Sequence, residues 1–195
     1  MIQESIYGDK LPEIQKVLEN LQDHIGVLRN KLLETTGMDP IEHCLGRIKS
    51  EESMREKCRR NSLPETQESA LVYIQDAIGL RIVCAFLDDV YRIRDHIAKL
   101  PGVTIVQEKD YIKEAKPNGY RSYHMILQTD EGFYSEIQIR TISMDTCAAL
   151  EHHLKYKKDI SGNMELIKSE LKRCAEELAA TDASMQTLKE MILTL

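Results

Sequence analysis

The spacing of apolar residues changes twice along the chain, and each change predicts a different kind of element. From the N-terminal side, Leu11, Ile14, Leu18, Leu21, Ile25, Leu28 and Leu32 recur at intervals of three and four, the repeat of one helix face. Gly37 and Pro40 then interrupt it, as residues that stop helices do. After Ser161-Gly162 a second long run begins, in which Ile167, Leu171, Cys174, Leu178, Thr181, Met185, Leu188, Ile192 and Leu195 alternate by four and three. Such a stripe suits a helix lying along another helix. Docking onto this chain's own core and self-association both satisfy it.

Between these helices the pattern shortens. Leu80 to Phe86, LRIVCAF, is an apolar, β-branched run that suits a buried strand. Asp88-Asp89 and the periodic VYRIRDHIAKL follow, a helix stopped at Pro101-Gly102. Val103 to Val106, Tyr123 to Thr129 and Phe133 to Arg140 predict three more strands, the last two joined by a hairpin loop at Asp130-Glu131-Gly132. A helix from about Ser143 to Lys157 closes the region. Because strands and helices interleave while one hairpin is antiparallel, the expected class is α+β. Its mixed sheet has about five strands and is flanked by helices, not doubly wound and parallel.

Composition narrows the picture. A chain of 195 residues with 42% apolar content closes one sizeable core. The expected organisation is therefore a single domain over 1–195, with a helical segment at 1–40, a core at 41–158 and a C-terminal helix at 159–195. No apolar run approaches the roughly 18 residues that span a bilayer, and nothing at the N-terminus reads as a signal peptide. A soluble, cytoplasmic protein without membrane contact is expected. The five cysteines, Cys44, Cys58, Cys84, Cys147 and Cys174, are scattered and lack C-x-x-C spacing, which predicts reduced thiols rather than disulfides or a zinc knuckle. A net charge of -6 disfavours stable nucleic-acid binding, which needs broad positive surface. Phosphate chemistry would have to rely on local clusters of base.

Three groups of residues stand out, two of them basic and one built on carboxylates. In GRIKSEESMREKCRR, Ser50 is a credible helix N-cap, Ser53, Lys57 and Arg60 recur on one face, and Arg47 and Lys49 precede the helix where amides and dipole favour anions. An ordinary charged surface helix fits equally well, since Glu51, Glu52 and Glu56 dilute the field. In IQDAIGLR, Asp76 stands just before the glycine that opens a buried strand. Strand alternation in FYSEIQIR puts Tyr134, Glu136, Gln138 and Arg140 on one face, and Ser122, His124, Ile126 and Gln128 share a face of the hairpin partner. Asp76 and Glu136 together would hold a hard divalent cation such as Mg²⁺; a turn-capping aspartate and a solvated sheet face are the simpler readings. The third cluster, KDYIKEAKPNGYRSYH, surrounds a Pro-Asn-Gly turn with bases and tyrosines.

Taken in order, GRIKSEESMREK, IQDAIGLRIVC, KDYIKEAKPNGYRSYH and SEIQIRTISMDTCAALEHHLKYK resemble the synthetase domain of the RelA/SpoT family. The chain is most similar to the small, synthetase-only members. The resemblance implies a nucleotidyltransferase-like synthetase fold and a GTP/GDP pyrophosphokinase, transferring pyrophosphate from ATP to the 3′-hydroxyl of GDP or GTP to make the stringent-response alarmones ppGpp and pppGpp. It assigns ATP to Arg47, Lys49, Ser53, Lys57 and Arg60, with Arg81 against adenine. It assigns Mg²⁺ to Asp76 and Glu136, and to Glu136 also the role of base. It assigns the acceptor to Lys109, Lys113, Lys116, Asn118, Tyr120, Arg121, His124, Gln138 and Arg140, with Tyr120 stacking on guanine. A homotetramer follows by family analogy. Thr146-Cys147 departs from the aromatic pair common in small members, and His152-His153 lacks metal-ligand spacing. Two alternatives remain: a pyrophosphokinase acting on the 3′ end of tRNA or another nucleotide, and a non-catalytic nucleotide-sensing module.

Overall fold

The computed structural model describes residues 5–156 and 164–194. The expected helix end at Lys157, the Ser161-Gly162 break and Leu195 lie outside those residues. A single 3-10 turn, Gly8–Lys10, leads into α1, Leu11–Thr36. Gly37 closes α1 with a left-handed φ of 70° and donates its N–H to the Leu33 carbonyl, a conformation glycine adopts without steric cost. The predicted face is the buried one: Ile14, Leu18, Leu21, Ile25, Leu28 and Leu32, joined by Val17.

The chain continues through β1 (Ile41–Ile48), α2 (Glu51–Arg60), a π-helical turn (Ser69–Tyr73), β2 (Ile78–Cys84) and α3 (Leu87–Ile97). It then forms β3 (Val103–Asp110), β4 (Tyr123–Thr129), β5 (Tyr134–Thr141), α4 (Ile142–Tyr156) and α5 (Met164–Leu193). The sheet order is β1-β2-β5-β4-β3. Among the described residues only the β2–β5 pairing is parallel, so the sheet is mixed, as the hairpin between β4 and β5 implies. That hairpin turns at Gly132, whose φ is 88°, and Thr129 and Phe133 close it through a backbone hydrogen bond of 2.9 Å.

The two edge strands are where hydrophobic patterning underreports the sheet. β1 escapes it altogether, and β3 runs to Asp110, beyond the expected Val106. Each borders solvent along one side, so IEHCLGRI and VTIVQEKD carry fully exposed positions, whereas β2, β4 and β5 have none. The central strands behave as predicted. Ile78, Leu80, Ile82, Met125, Leu127, Ile137 and Ile139 lie on one face with exposures of 2% or less. They are covered by α1 and by Val90, Ile93 and Ile97 of α3. Gly46 permits the close approach of α1 to β1, since a Cβ there would lie 2.7 Å from Leu18 Cδ1.

The C-terminal helix departs from its apolar stripe. Near its start Ile167, Leu171 and Ala175 turn inward, but further on the inward positions are Asp182, Gln186 and Lys189, while Met185, Leu188, Met191 and Ile192 are exposed. Polar contacts hold this half. Thr141 donates its hydroxyl to Asp182 at 2.5 Å, Gln186 accepts the Asp88 N–H, and the Lys189 ammonium reaches Asp88 at 2.7 Å and Asp89 at 3.1 Å. Burial pushes the Asp89 carboxyl up, and the Lys189 contact pulls against it. Lys189→Met removes the cation and leaves a buried carboxylate short of a partner, so it should destabilise the fold by about 3 kcal/mol, read from the midpoint of urea unfolding. A change below about 0.5 kcal/mol would show that the ion pair does not anchor α5.

Candidate active site

Strand alternation assigns one face of the sheet to the core and leaves the other to chemistry. Register then brings residues from all five strands onto that second face. Leu45 and Arg47 of β1 stand opposite Arg81 and Gly79 of β2. Gly79 and Arg81 stand beside Glu136 and Gln138 of β5, which face Ile126 and His124 of β4. Gln107 and Lys109 of β3 pair with the same two β4 residues. Glu136 therefore sits on the central strand, midway across.

Two clefts open on this face and meet at Glu136. The first, about 240 Å³, is lined by Leu45, Gly46, Arg47, Lys49, Asp76, Gly79, Leu80, Arg81, Glu136 and Gln138. The second, about 220 Å³, is lined by Gln107, Lys109, Tyr111, Lys116, His124, Ile126 and Glu136. Asp76 and Glu136, far apart in sequence, thus both line the first cleft. Asp76 Oδ2 takes Lys49 Nζ at 2.8 Å and Lys57 Nζ at 2.5 Å, whereas Asp76 Oδ1 is buried without a partner. The Lys49 backbone is fixed from behind, its carbonyl accepting the hydroxyl of the buried Tyr7 at 2.6 Å.

Glu136 belongs to a closed ring of side chains. Arg140 Nη2 donates to the Tyr120 hydroxyl and to Gln138 Oε1, both at 2.7 Å. Gln138 Nε2 donates to Glu136 Oε2 at 2.9 Å, and His124 bridges Tyr120 (2.9 Å) to Glu136 Oε1 (3.3 Å). Donor and acceptor bookkeeping then assigns the proton positions. The Tyr120 oxygen accepts from Arg140, and the Glu136 carboxylate, which can only accept, takes its hydrogen from His124 Nδ1. Burial opposes ionisation of Glu136, but the hydrogen bond and charge of His124, the Gln138 amide and the Lys57 charge outweigh it and hold the carboxyl at about 2.

The remaining expected site residues are spread more widely. Ser53 and Arg60 are exposed on α2, whose N-terminus is capped by Ser50 as predicted. Lys113 pairs with Asp110 at 3.7 Å and lies over Tyr91, its side chain 73% exposed. Asn118 donates to Glu151 of α4. Arg121 faces the α4 and α5 side, in a crevice with Cys147 and Ala175. Gly119 holds a φ of 84° and lies so close to α5 that a Cβ would sit 2.8 Å from Ala175 Cβ. Tyr120 is half-buried, with Lys116 Nζ 5.0 Å and the Arg140 guanidinium 5.3 Å from its ring centre. Arg140 itself is 4% exposed and lies beneath the face. Asp145 of α4 escapes the sequence reading although it contacts both Arg140 and Arg81. Gln107 and Leu45 also escape it, and their signal is the alternation of the two edge strands.

Residues 46–161 match the family described as a region found in RelA / SpoT proteins. The chain belongs to the RelA/SpoT family. Among curated relatives, it is 35% identical to the GTP pyrophosphokinase YwaC of Bacillus subtilis over 90% of this chain and 86% of that one. It is 40% identical to the GTP pyrophosphokinase YjbM of the same organism over 77% of this chain and 72% of that one. Among solved structures, the small alarmone synthetase 1 from Bacillus subtilis bound to its product pppGpp superposes with a TM-score of 0.82 at 33% identity, covering 94% of this chain and 96% of that one. The RelA/SpoT fold accounts for the mixed five-stranded sheet and its flanking helices.

For this RelA/SpoT protein the charge state of Glu136 has a measurable signature. Its folded value, about 2, lies below the ordinary 4.5. The ionised carboxylate therefore stabilises the fold fully above about pH 4.5 and loses that contribution as the pH falls towards about 2. Unfolding free energies across this window should decline more steeply with acid for the wild type than for Glu136→Gln. Parallel curves would contradict the ring as described.

Proposed function

We propose that this protein is a GTP/GDP pyrophosphokinase: it transfers the β,γ-pyrophosphoryl group of ATP to the ribose 3′-hydroxyl of GDP or GTP, making ppGpp or pppGpp and AMP. The observation that carries this reading is the meeting of two clefts at one ionised carboxylate, in a chain that aligns along most of its length with GTP pyrophosphokinases. In this reading the first cleft takes the donor. Arg47, Lys49 and Lys57 face its phosphates, Arg60 extends that positive edge along α2 with the Ser53 hydroxyl beside it as a neutral donor, and Arg81 supplies a guanidinium plane for adenine. The second cleft takes the acceptor, with Lys109 and His124 on its floor and Lys116 on its wall. Lys116 gives up the face of Tyr120 when guanine stacks there and becomes free to meet phosphate. Lys113, Asn118 and Arg121 act from the acceptor rim and its turn.

The transferred group breaks its bond to the α-phosphate bridging oxygen as the 3′-oxygen bonds to the β-phosphorus, and the hydroxyl proton is lost. Such transitions are loose, so the nucleophile keeps its proton until bonding has begun. A carboxylate held near 2 is a weak base at neutral pH, and Glu136 is suited to orient the hydroxyl first and to receive a proton that bonding has already acidified. Positioning and neutralised charge provide most of the acceleration. A hard divalent ion fits the donor set. Asp76 has an orphaned buried oxygen, Glu136 lines the same cleft, and Mg²⁺ takes few protein oxygens when phosphates complete its sphere. No cluster of three or more potential ligands exists among the described residues. Held by Asp76 and Glu136, Mg²⁺ would neutralise charge on the donor phosphates.

Incubation with Mg²⁺, ATP labelled at the β or γ position, and GDP, GTP or tRNA distinguishes the alternatives. Both labels should appear on the guanine nucleotide. Label on tRNA, or none anywhere, would overturn the assignment. Asp76→Asn should lower metal-dependent kcat by about 100-fold or more, whereas Tyr120→Ala should raise the acceptor KM by about tenfold. Near-normal turnover of Asp76→Asn at saturating Mg²⁺ would remove the metal role.

The reading also places the protein in the cytoplasm as a homo-oligomer, a tetramer by family analogy. The exposed Met185, Leu188, Met191 and Ile192 on α5 support a self-contact. Light scattering should give a multiple of the protomer mass for the wild type and a smaller mass for Leu188→Glu. A monomeric wild type would dismiss the self-contact.

A further inference from the structure

The carboxylate of Asp145, in the first turn of α4, lies at the seam between the two halves of the site. Its Oδ1 is 3.4 Å from Arg81 Nη1 and 3.1 Å from Arg140 Nη1, and its Oδ2 is 4.0 Å from His43 Nε2. Those groups come from β2, β5 and β1, three neighbouring strands. Arg81 lines the first cleft. Arg140 supports the ring that holds Tyr120, Gln138 and Glu136. The two guanidinium groups are close enough to disfavour one another: after burial, the charge of Arg140 is the largest influence lowering the Arg81 pKa, with Arg47 adding to it and Asp145 opposing it. Arg81 Nε has no partner of its own, so the Asp145 contact is what fixes this end of the side chain.

We infer that Asp145 is a positioning residue that holds the donor-side Arg81 and the acceptor-side Arg140 in register, so that binding in both clefts depends on one carboxylate outside them. The inference rests on the donor and acceptor reading given above. Without the negative charge, repulsion frees Arg81 to leave the adenine edge. Arg140 then loses its counter-charge, and its grip on the Tyr120 hydroxyl and the Gln138 amide loosens. Charge-assisted hydrogen bonds of this kind are roughly twice as strong as neutral ones, so a neutral isostere is a sufficient perturbation.

The test is Asp145→Asn, assayed with each nucleotide varied at saturation of the other. The KM values for ATP and for GDP should both rise by about three- to tenfold, with a smaller change in kcat. In an Arg81→Ala background, Asp145→Asn should no longer affect the KM for ATP but should still raise that for GDP, because its route to the donor is gone. A rise confined to one substrate, or a continued effect on ATP without Arg81, would overturn the inference. Calorimetric titration with a non-reacting ATP analogue and with GDP covers poor folding, since the stoichiometry counts only folded sites; both affinities must weaken there too. If the wild type binds both nucleotides yet forms no alarmone, the functional reading fails while the titration still decides the role of Asp145.

Discussion

A half-buried anion on the central strand is the constraint around which the rest of this molecule is arranged. Glu136 is kept ionised by neighbours that must each be in place: His124 with its Nδ1 hydrogen turned inward, the Gln138 amide, and Lys57 reaching across from α2. His124 is oriented in turn by Tyr120, and both Tyr120 and Gln138 by Arg140. In a ring of this kind each donor is fixed because its acceptor is already committed elsewhere, and a partly satisfied version would cost more than an apolar core. Rigidity at the meeting point of the two clefts is what the proposed reaction, dominated by positioning, requires.

The sheet provides the span and the helices provide the alignment. A two-residue period places Arg47, Arg81, Glu136, His124 and Lys109 on one face across five strands, while α1 and α3 cover only the opposite face. α4 and α5 meet the site from its end, where Asp145 sits between two arginines and Ala175 allows Gly119 to approach. α5 is tied down by Asp182, Gln186 and Lys189 rather than by its apolar stripe. Polar anchoring inward leaves Met185, Leu188 and Ile192 outward, an arrangement that trades intrachain hydrophobic burial for a surface open to another contact.

Much of this was legible from residue order alone. The period of α1, the alternation of β4 and β5, the cap of α2 and the turn at Gly132 are local, because each depends on residues a few positions apart whose steric and hydrogen-bonding preferences act regardless of what lies beyond. The family motifs singled out Asp76 and Glu136, and the structure brings both to one cleft. Edge strands were less readable, since a strand with one free border need not be apolar and IEHCLGRI does not announce itself.

What tertiary structure alone decided is which long-range partners meet. Asp145 looks like any helix-start carboxylate until β2 and β5 deliver Arg81 and Arg140 to it, and Arg140 looks like a substrate ligand until burial at 4% commits it to its neighbours. The same holds for Lys189 and Asp182, polar residues beside an apolar stripe that face inward because Asp88, Asp89 and Thr141 wait there. Sequence period fixes which residues share a face of their own element. It carries no information about what the opposing surface offers, and the match between the two determines whether a charge is buried, paired or left for a ligand.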